Sequence, residues 1–277
     1  MCRWLAYTGS PVFLDEIILK PEHSLIDQSL SARSGATPTN GDGFGIGWYG
    51  TKETPGLYRS FRPAWNDRNL HDLSEQIQSS LFIAHIRAAT GTAVQQTNCH
   101  PFRFGKWLFV HNGVIREFTK LKRDLICEVS PELFPHIEGT TDSEVMFFLA
   151  LTLGLEEDPI GACERMAHLV ERLGRVHGIE AALTMTLGIS DGSKLYAIRY
   201  ASDGNPRTLF HSKEMRALKE LSPQVDSFSD DTRAVVSEPF GKLSEAWCEI
   251  QPSTAITIDD GELETRDFSP RARSSQR

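Results

Sequence analysis

The chain has 277 residues, of which 40% are hydrophobic and 24% charged, with a net charge of −8 at pH 7. This composition is typical of a globular protein, and the acidic balance argues against a nucleic-acid-binding surface, which requires clustered Lys and Arg. No apolar run approaches the roughly 18 residues that span a membrane, and residues 11–19 lack the flanking features of a signal peptide. The five cysteines are far apart and form no Cys-x-x-Cys pair, so we expect neither a zinc site nor a disulfide framework. We therefore expect a cytoplasmic protein without a metal site.

The predicted elements of the first half alternate between strands and helices. Short apolar runs bounded by turn residues predict strands, and apolar residues spaced three and four apart predict helices. In chain order they are a strand at 2–8 ended by Gly9-Ser10-Pro11, a helix at 24–33, a loop at 34–42, paired strands at 43–49 and 57–61, a helix at 69–79, strands at 81–87 and 107–111, and a helix at 117–129.

The second half begins with two better-marked helices. Thr141-Asp142-Ser143-Glu144 has the pattern of a capping box, and Gly154 is a suitable end for the helix that follows it. A second helix is predicted at 159–176, and the remainder is β-rich, with strands at 183–189, 194–199, 208–211, 234–237 and 254–258 and a hairpin turn at 259–262. This order of elements indicates a single α+β layered domain over residues 1–268. The basic, Ser-rich residues 269–277 are predicted to be a disordered tail.

The second residue, Cys2, becomes N-terminal if Met1 is removed. It then carries a thiol and a free α-amine, whose ordinary pKa of about 7.7–8 lets it accept a proton near neutral pH. An N-terminal amine that activates a nucleophile is a known catalytic scheme. A cysteine before a short apolar strand also arises without any function, so Cys2 alone does not decide between catalysis and chance.

Two segments suit either packing or ligand binding. In residues 41–48, alternation places three glycines on one strand face, where another backbone or a ligand can come close; the spacing is not that of a dinucleotide fingerprint. Arg87 ends an apolar strand, and its guanidinium suits a carboxylate of either a substrate or an internal salt bridge. His85, inside the same strand, is expected to be a hydrogen-bonded core residue.

Three further positions carry polar chemistry. Cys99 and His100 are adjacent and point opposite ways on an extended chain, so a local dyad is not expected. Asn112-Gly113 between apolar residues favours a type I′ turn, and the alternative is an oxyanion site made of the Asn112 amide and the Gly113 N–H. Asp142 lies in the first turn of a helix, where the helix dipole stabilises it, and it equally suits a substrate ammonium.

Together these segments resemble the class II glutamine amidotransferases of the N-terminal nucleophile hydrolase superfamily. The resemblance covers roughly the first 150 residues and rests on Met1-Cys2, Asp42-Gly43, His85-Ile86-Arg87-Ala88-Ala89-Thr90, Asn98-Cys99-His100-Pro101, His111-Asn112-Gly113 and Thr141-Asp142-Ser143-Glu144. Residues 42–48 and 98–102 are most similar to the stand-alone branch, which includes hydrolases of γ-glutamyl amides. The resemblance implies a four-layer αββα sandwich with two mainly antiparallel sheets.

The resemblance also implies a role for each residue and no metal or organic cofactor. Cys2 is the nucleophile, and its α-amine is the base, acting through a water. The other implied roles are a clamp on the substrate α-carboxylate (Arg87, with Thr90 nearby), a partner for the α-ammonium (Asp142), an oxyanion hole (Asn112, Gly113) and further substrate-binding positions (Asp42, Gly43, His100).

Two enzymatic activities follow from these roles, and a third hypothesis assigns the chain no catalytic activity. The first is hydrolysis of glutamine to glutamate, with the ammonia passing to a partner synthase. The second is hydrolysis of a larger γ-glutamyl amide or peptide in thiol metabolism. Ala88 stands where members fused to a synthase domain often carry an aromatic residue, and the chain has no room for such a domain, which argues against channelling to a covalently linked acceptor. The third hypothesis is an inactive glutamine-binding regulator.

Overall fold

The structure, a computed structural model, describes residues 2–33, 39–89, 91–221, 228–242 and 244–272. Its strands are β1 (Arg3–Phe13), β2 (Phe44–Trp48), β3 (Gly56–Ser60), β4 (Gln78–Ile86), β5 (Phe102–Phe104), β6 (Trp107–Ile115), β7 (Leu183–Ser190), β8 (Lys194–Ala201), β9 (Phe210–Ser212), β10 (Arg233–Val236), β11 (Trp247–Glu249), β12 (Thr254–Asp259) and β13 (Glu262–Asp267). Its helices are α1 (Asp15–Ile18), α2 (Leu25–Leu30), α3 (Arg68–Ser74), α4 (Phe118–Cys127), α5 (Asp142–Thr152), α6 (Pro159–Val176) and α7 (Met215–Leu221).

The strands form two antiparallel sheets. The first has the order β11-β9-β10-β1-β4-β2-β3, and the second has the order β13-β12-β8-β7-β6-β5. In the first sheet β1 lies between β10 and β4, with Leu5 opposite both Val236 and Ala84. In the second sheet β6 pairs with β7 from Leu108 to Ile115. The N-terminal strand is therefore central in its sheet rather than at an edge.

Three hydrophobic layers hold the sheets and helices together. One layer, including Leu14, Leu25 and Leu70, lies between α1–α3 and the first sheet. A second layer lies between the sheets and contains Trp4 from one and Val110 from the other. A third layer packs α4, α5 and α6 against the second sheet. This αββα arrangement confirms the predicted four-layer sandwich with two antiparallel sheets.

Several predicted boundaries needed correction. The strand at 2–8 does not end at Gly9-Ser10-Pro11: β1 continues to Phe13, with a register irregularity between Thr8 and Val12. Gly9 is required there because a Cβ would lie 2.5 Å from Thr232 Oγ1. The helix predicted at 69–79 ends at Ser74, because the chain is taken into β4 from Gln78.

The start of α5 is capped by only half of the predicted capping box. The Glu144 N–H donates to Thr141 Oγ1 at 3.2 Å, as predicted. The Glu144 carboxylate instead accepts from the N–H groups of Glu138 and Gly139, at 2.9 and 2.6 Å. It therefore ties the preceding loop to the helix. A reciprocal capping box occurs at α2, between Ser24 and Asp27.

The end of the described chain contacts α6. Phe268 is buried, the Ser269 N–H donates to Glu164 Oε1 at 3.2 Å, and Arg271 lies 2.9 Å from Glu164 Oε2. Residues 273–277 of the predicted tail are outside the described part, and the single-domain boundary at 268 stays a prediction. Within the described ranges, no helix is long and apolar enough to cross a membrane.

Candidate active site

Cys2 lies at the start of β1, the central strand of the first sheet. Its half-buried Sγ is 3.5 Å from both the carbonyl oxygen and the N–H nitrogen of Ala88, which follows β4. The antiparallel pairing of β1 with β4 brings about this contact, because Arg3 lies opposite Ile86. The thiol therefore sits against the segment that carries Arg87.

A buried ion pair fixes the backbone of Cys2. The Arg3 guanidinium donates to the Cys2 carbonyl at 3.0 Å and lies 3.1 Å from the Glu238 carboxylate. Burial alone would raise the pKa of Glu238, but hydrogen bonds from His23 and Arg33 and the charge of Arg3 hold it below its ordinary value. Glu238 is therefore ionised, and Arg3 has a fixed partner.

Arg87 is bound into its own loop. Its N–H donates to the Gly43 carbonyl at 2.8 Å, and its guanidinium donates to Asp42 O, Thr92 Oγ1 and Ala93 O at 3.2, 2.6 and 3.2 Å. The side chain is 3% exposed. These bonds use three of the five guanidinium donors, which leaves the Nε–H and one Nη1–H for a ligand. Thr90, predicted to lie nearby, is outside the described residues.

Asp42 and Gly43 form the turn that holds this loop. Asp42 Oδ2 accepts from the Ala89 N–H at 2.7 Å. Gly43 has a φ of +117°, and a Cβ there would lie 2.5 Å from Cys99 Sγ and 2.9 Å from Ser60 O. The structure thus brings Asp42 and Gly43 to Arg87, as the prediction requires. Their contact with substrate stays a prediction.

Asn112 and Gly113 are inside a strand, so the predicted type I′ turn is wrong. They lie in β6 opposite Thr186 and Met185 of β7. Thr186 accepts from the Trp4 indole at 3.0 Å, which shows that this face of the second sheet looks toward the first sheet. Asn112 is 2% exposed, and its Oδ1 is buried without a hydrogen-bond partner among the described residues. Its side chain faces the space between the sheets, and the oxyanion role of its Nδ2–H groups stays a prediction.

Asp142 is joined to the same strand. Its Oδ2 accepts from the Ile115 N–H at 2.8 Å, and its Oδ1 accepts from the Ser143 N–H at 2.8 Å. Ser143 also contacts His111 Nδ1 at 2.8 Å. Burial lowers the pKa of His111, and the charge of Asp142 opposes this shift. The N-terminus of α5 is thus fastened to the strand that carries Asn112 and Gly113.

His100 lies in the interior against His85. Their ring centroids are 4.2 Å apart, and neither ring has a hydrogen-bond partner among the described residues, so the expectation that His85 is hydrogen-bonded is wrong. Burial lowers the pKa of His85 to about 3 and holds that of His100 well below its ordinary value. Both rings are therefore neutral near pH 7. The substrate-binding role of His100 stays a prediction.

A Cys99–His100 dyad was not expected, and the environment of Cys99 explains why none forms. Its Sγ lies 3.3 and 3.5 Å from the carbonyl oxygens of Ser60 and Gln95, either of which can accept the S–H. Burial raises the pKa of Cys99 to about 11, so the side chain is a thiol rather than a thiolate. The glycines of β2 serve close packing, since a Cβ at Gly45 would lie 2.3 Å from His100 O.

Sequence analysis missed Arg207, which lies between β8 and β9. Its Nη1 is buried and has no hydrogen-bond partner among the described residues. Burial lowers the pKa of Arg207, and the electrostatic influence of Cys2 and Asp142 opposes this shift. Its sequence context, Asp203-Gly204-Asn205-Pro206, carries only turn signals, so no motif points to it.

Two other features lie outside this constellation. A cavity of about 420 Å³ between the first sheet, α1 and α7 is lined by side chains that include Tyr7, Ile17 and Trp247, and none of the site residues reaches it. Over the described chain, no cluster of three or more His, Cys, Asp or Glu side chains could hold a metal ion. The absence of a cofactor stays a prediction.

Comparisons with known proteins agree with this arrangement. The family model for class-II glutamine amidotransferases matches residues 20–277. The chain is 40% identical to the probable glutamine amidotransferase DUG3 of Saccharomyces cerevisiae. The alignment is 291 residues long, gaps included, and covers 93% of this chain and 82% of that protein. It is 30% identical to the gamma-glutamyl-hercynylcysteine sulfoxide hydrolase of Mycolicibacterium smegmatis over 164 residues, 58% of this chain and 66% of that one.

A solved structure supports the same assignment over the whole chain. The glutamine aminotransferase class-II domain protein from Silicibacter pomeroyi superposes with a TM-score of 0.73 and 33% identity, covering 97% of this chain and all of that one. The sequence match and the shared fold extend well beyond the first 150 residues on which the resemblance rested. The chain therefore belongs to the class II glutamine amidotransferase family.

Proposed function

We propose that this chain hydrolyses γ-glutamyl amides through a thioester on Cys2. The observation that carries the proposal is the contact of Cys2 Sγ with Ala88, 3.5 Å away and next to Arg87. A nucleophile beside a guanidinium suits a substrate whose amide carbonyl lies at a fixed distance from a carboxylate. γ-Glutamyl compounds have this arrangement, and relatives are named for glutamine amidotransfer and for γ-glutamyl hydrolysis.

In the first half-reaction the thiol replaces the amine of the amide. After removal of Met1, the Cys2 α-amine takes the thiol proton through a water, and the sulfur attacks the δ-carbonyl carbon. The Asn112 amide and the Gly113 N–H stabilise the resulting oxyanion, and one such donor contributes about 3–4 kcal/mol. The α-ammonium returns this proton to the leaving nitrogen, the C–N bond breaks, the amine departs and a γ-glutamyl thioester remains.

In the second half-reaction water attacks the thioester carbonyl, and the thiol leaves with glutamate as the product. Throughout, Arg87 holds the α-carboxylate and Asp142 holds the α-ammonium. Asp142 Oδ1 accepts from the N–H and the hydroxyl of Ser143, whereas Oδ2 accepts only the Ile115 N–H and retains a lone pair for an ammonium. Fixing both ends of the glutamyl group positions the carbonyl against the thiol, which lowers the barrier by several kcal/mol.

The leaving group that suits this site best is larger than ammonia. Ala88, which contacts the thiol, carries only a methyl group and is partly exposed. Cys2 itself is half-buried, so the thiol has room beside it for a substituent on the amide nitrogen. Hydrolysis of glutamine for a partner synthase remains the second candidate, because the name of the yeast relative is that of an amidotransferase. A cytoplasmic location stays a prediction.

The test is glutamate release by protein whose N-terminus is verified as Cys2. Glutamine, γ-glutamylmethylamide and γ-glutamyl dipeptides are compared at equal concentration. We expect turnover that Cys2→Ala abolishes and that Cys248→Ala, another half-buried cysteine on β11, retains. Turnover by Cys2→Ala would overturn the mechanism. Glutamate from none of the amides would overturn the function.

A further inference from the structure

Arg207 carries a charge that the hydrolysis steps above do not use. A buried guanidinium nitrogen without a partner is costly, because its N–H groups have given up water and gained nothing. Arg207 Nη1 is buried and has no hydrogen-bond partner among the described residues, while the residue as a whole is half-buried. Such a group is suited to an anionic ligand that enters from solvent.

The backbone around Arg207 is held in place. Arg199, which reaches from β8, donates through its Nε to the Arg207 carbonyl at 2.7 Å and pairs with Glu249 at 2.8 Å. On the other side, Thr208 Oγ1 donates to the Ser237 carbonyl at 3.0 Å. These two contacts fix the backbone at Arg207 and Thr208, from which the guanidinium extends.

Ser237 connects this segment to the nucleophile strand. Its N–H donates to the Trp4 carbonyl at 3.0 Å, and its Oγ accepts from the Trp4 N–H at 3.1 Å. Trp4 is two residues from Cys2. Arg207 therefore approaches the start of β1 from the β10 side of the first sheet.

Arg87 approaches the same point from the opposite side. It follows β4, and β4 and β10 are the two neighbours of β1. The segments that carry the two arginines thus lie on opposite sides of the start of β1. If Arg87 holds the glutamyl α-carboxylate, the part of the substrate beyond the scissile bond extends away from Arg87, toward the β10 side.

We propose that Arg207 is a specificity-determining residue that binds a carboxylate on the leaving amine of the γ-glutamyl amide. The proposal rests on the function proposed above and narrows its substrates to γ-glutamyl amino acids and peptides. Arg207 interacts electrostatically with Cys2, Arg3 and Asp142. Arg3 already pairs with Glu238, so its guanidinium does not compete with Arg207 for the anion.

Two substrates that differ only in the carboxylate test this assignment. γ-Glutamylglycine and γ-glutamylglycinamide share the glutamyl group and the scissile bond, and only the first has a negative charge on the leaving amine. We expect the wild-type kcat/KM to favour γ-glutamylglycine roughly 10- to 100-fold, as for a charge-assisted hydrogen-bonded pair. In Arg207→Gln this ratio falls to near one, and Arg207→Lys, which keeps the charge, restores part of it.

The matched control is Arg68→Gln, at the exposed start of α3, which we expect to leave the ratio unchanged. Thermal unfolding of each variant establishes that the fold is intact. A wild-type enzyme active on both substrates without preference overturns the assignment of Arg207, and so does an equal loss on both substrates in Arg207→Gln. The latter result would mean that Arg207 serves the thiol or the glutamyl group. Inactivity of the wild type on every γ-glutamyl amide would instead overturn the proposed function itself.

Discussion

Replacement of His85 by leucine should make the protein less sensitive to acid. His85 is 1% exposed, and burial lowers its pKa to about 3. In the unfolded chain its pKa returns to the ordinary value of about 6.5. Below pH 6.5 the unfolded state therefore binds a proton that the folded state does not, so stability falls as the pH falls.

The size of this effect follows from the two pKa values. At pH 5 the unfolded histidine is about 1.5 pH units below its pKa, and each unit corresponds to about 1.4 kcal/mol. His85 alone should therefore reduce the free energy of unfolding by about 2 kcal/mol between pH 7.5 and pH 5. His100 acts in the same direction, because burial also lowers its pKa.

Urea denaturation at the two pH values measures the effect. Leucine has a similar volume and removes two ring nitrogens that have no partner among the described residues, so we expect His85→Leu to fold. Its loss of stability from pH 7.5 to 5 should be about 2 kcal/mol smaller than that of the wild type. His71→Gln, at an exposed position on α3, is the control and should behave as the wild type. Equal losses in wild type and His85→Leu would refute the reasoning.

Four other changes test the site. Asn112→Ala should lower kcat about 100- to 1,000-fold by removing an oxyanion donor, and a loss below tenfold would contradict that role. Arg87→Lys should raise KM for γ-glutamyl substrates, because an ammonium does not replace a guanidinium fork, and an unchanged KM would refute the clamp. Gly43→Ala should lower the free energy of unfolding, measured in urea, by about 1–3 kcal/mol. Gly50→Ala, where a Cβ meets nothing within 4 Å, is the control and should not lower it. Equal stabilities of the two variants would contradict the requirement for glycine at the φ of +117° of Gly43. A chain that retains Met1 should not turn over, and full activity would exclude the α-amine as base.

Local sequence was sufficient where the structure depends on local contacts. Helix α6 runs over Pro159–Val176, the predicted range, because Asp158 caps the Gly161 N–H and Pro159 suits the first helical position. The turn at 259–262 joins β12 to β13 as predicted, with Asp260 and Gly261 at positive φ. Both features are decided by residues a few positions apart.

Long-range pairing decided the features that local sequence could not. Asn112-Gly113 carries a turn signal, but β7, some 70 residues later in the chain, pairs across it and extends the strand. The closeness of this pairing also explains the glycine, since a Cβ at Gly113 would lie 2.0 Å from Thr184 O. The approach of Arg207 to Cys2 depends likewise on pairing between distant strands. The resemblance to the family, rather than the local pattern, identified the oxyanion candidates.

The most direct test of the account is the location of the acyl group during turnover. Protein with a free Cys2 amine is mixed with a γ-glutamyl amide, quenched in acid within the steady state and digested, and the modified cysteine is identified by mass spectrometry. The account predicts a γ-glutamyl thioester on Cys2, on none of the other four cysteines, and absent from Cys2→Ala. Turnover with the adduct on another residue, or undiminished turnover by Cys2→Ala, would contradict it.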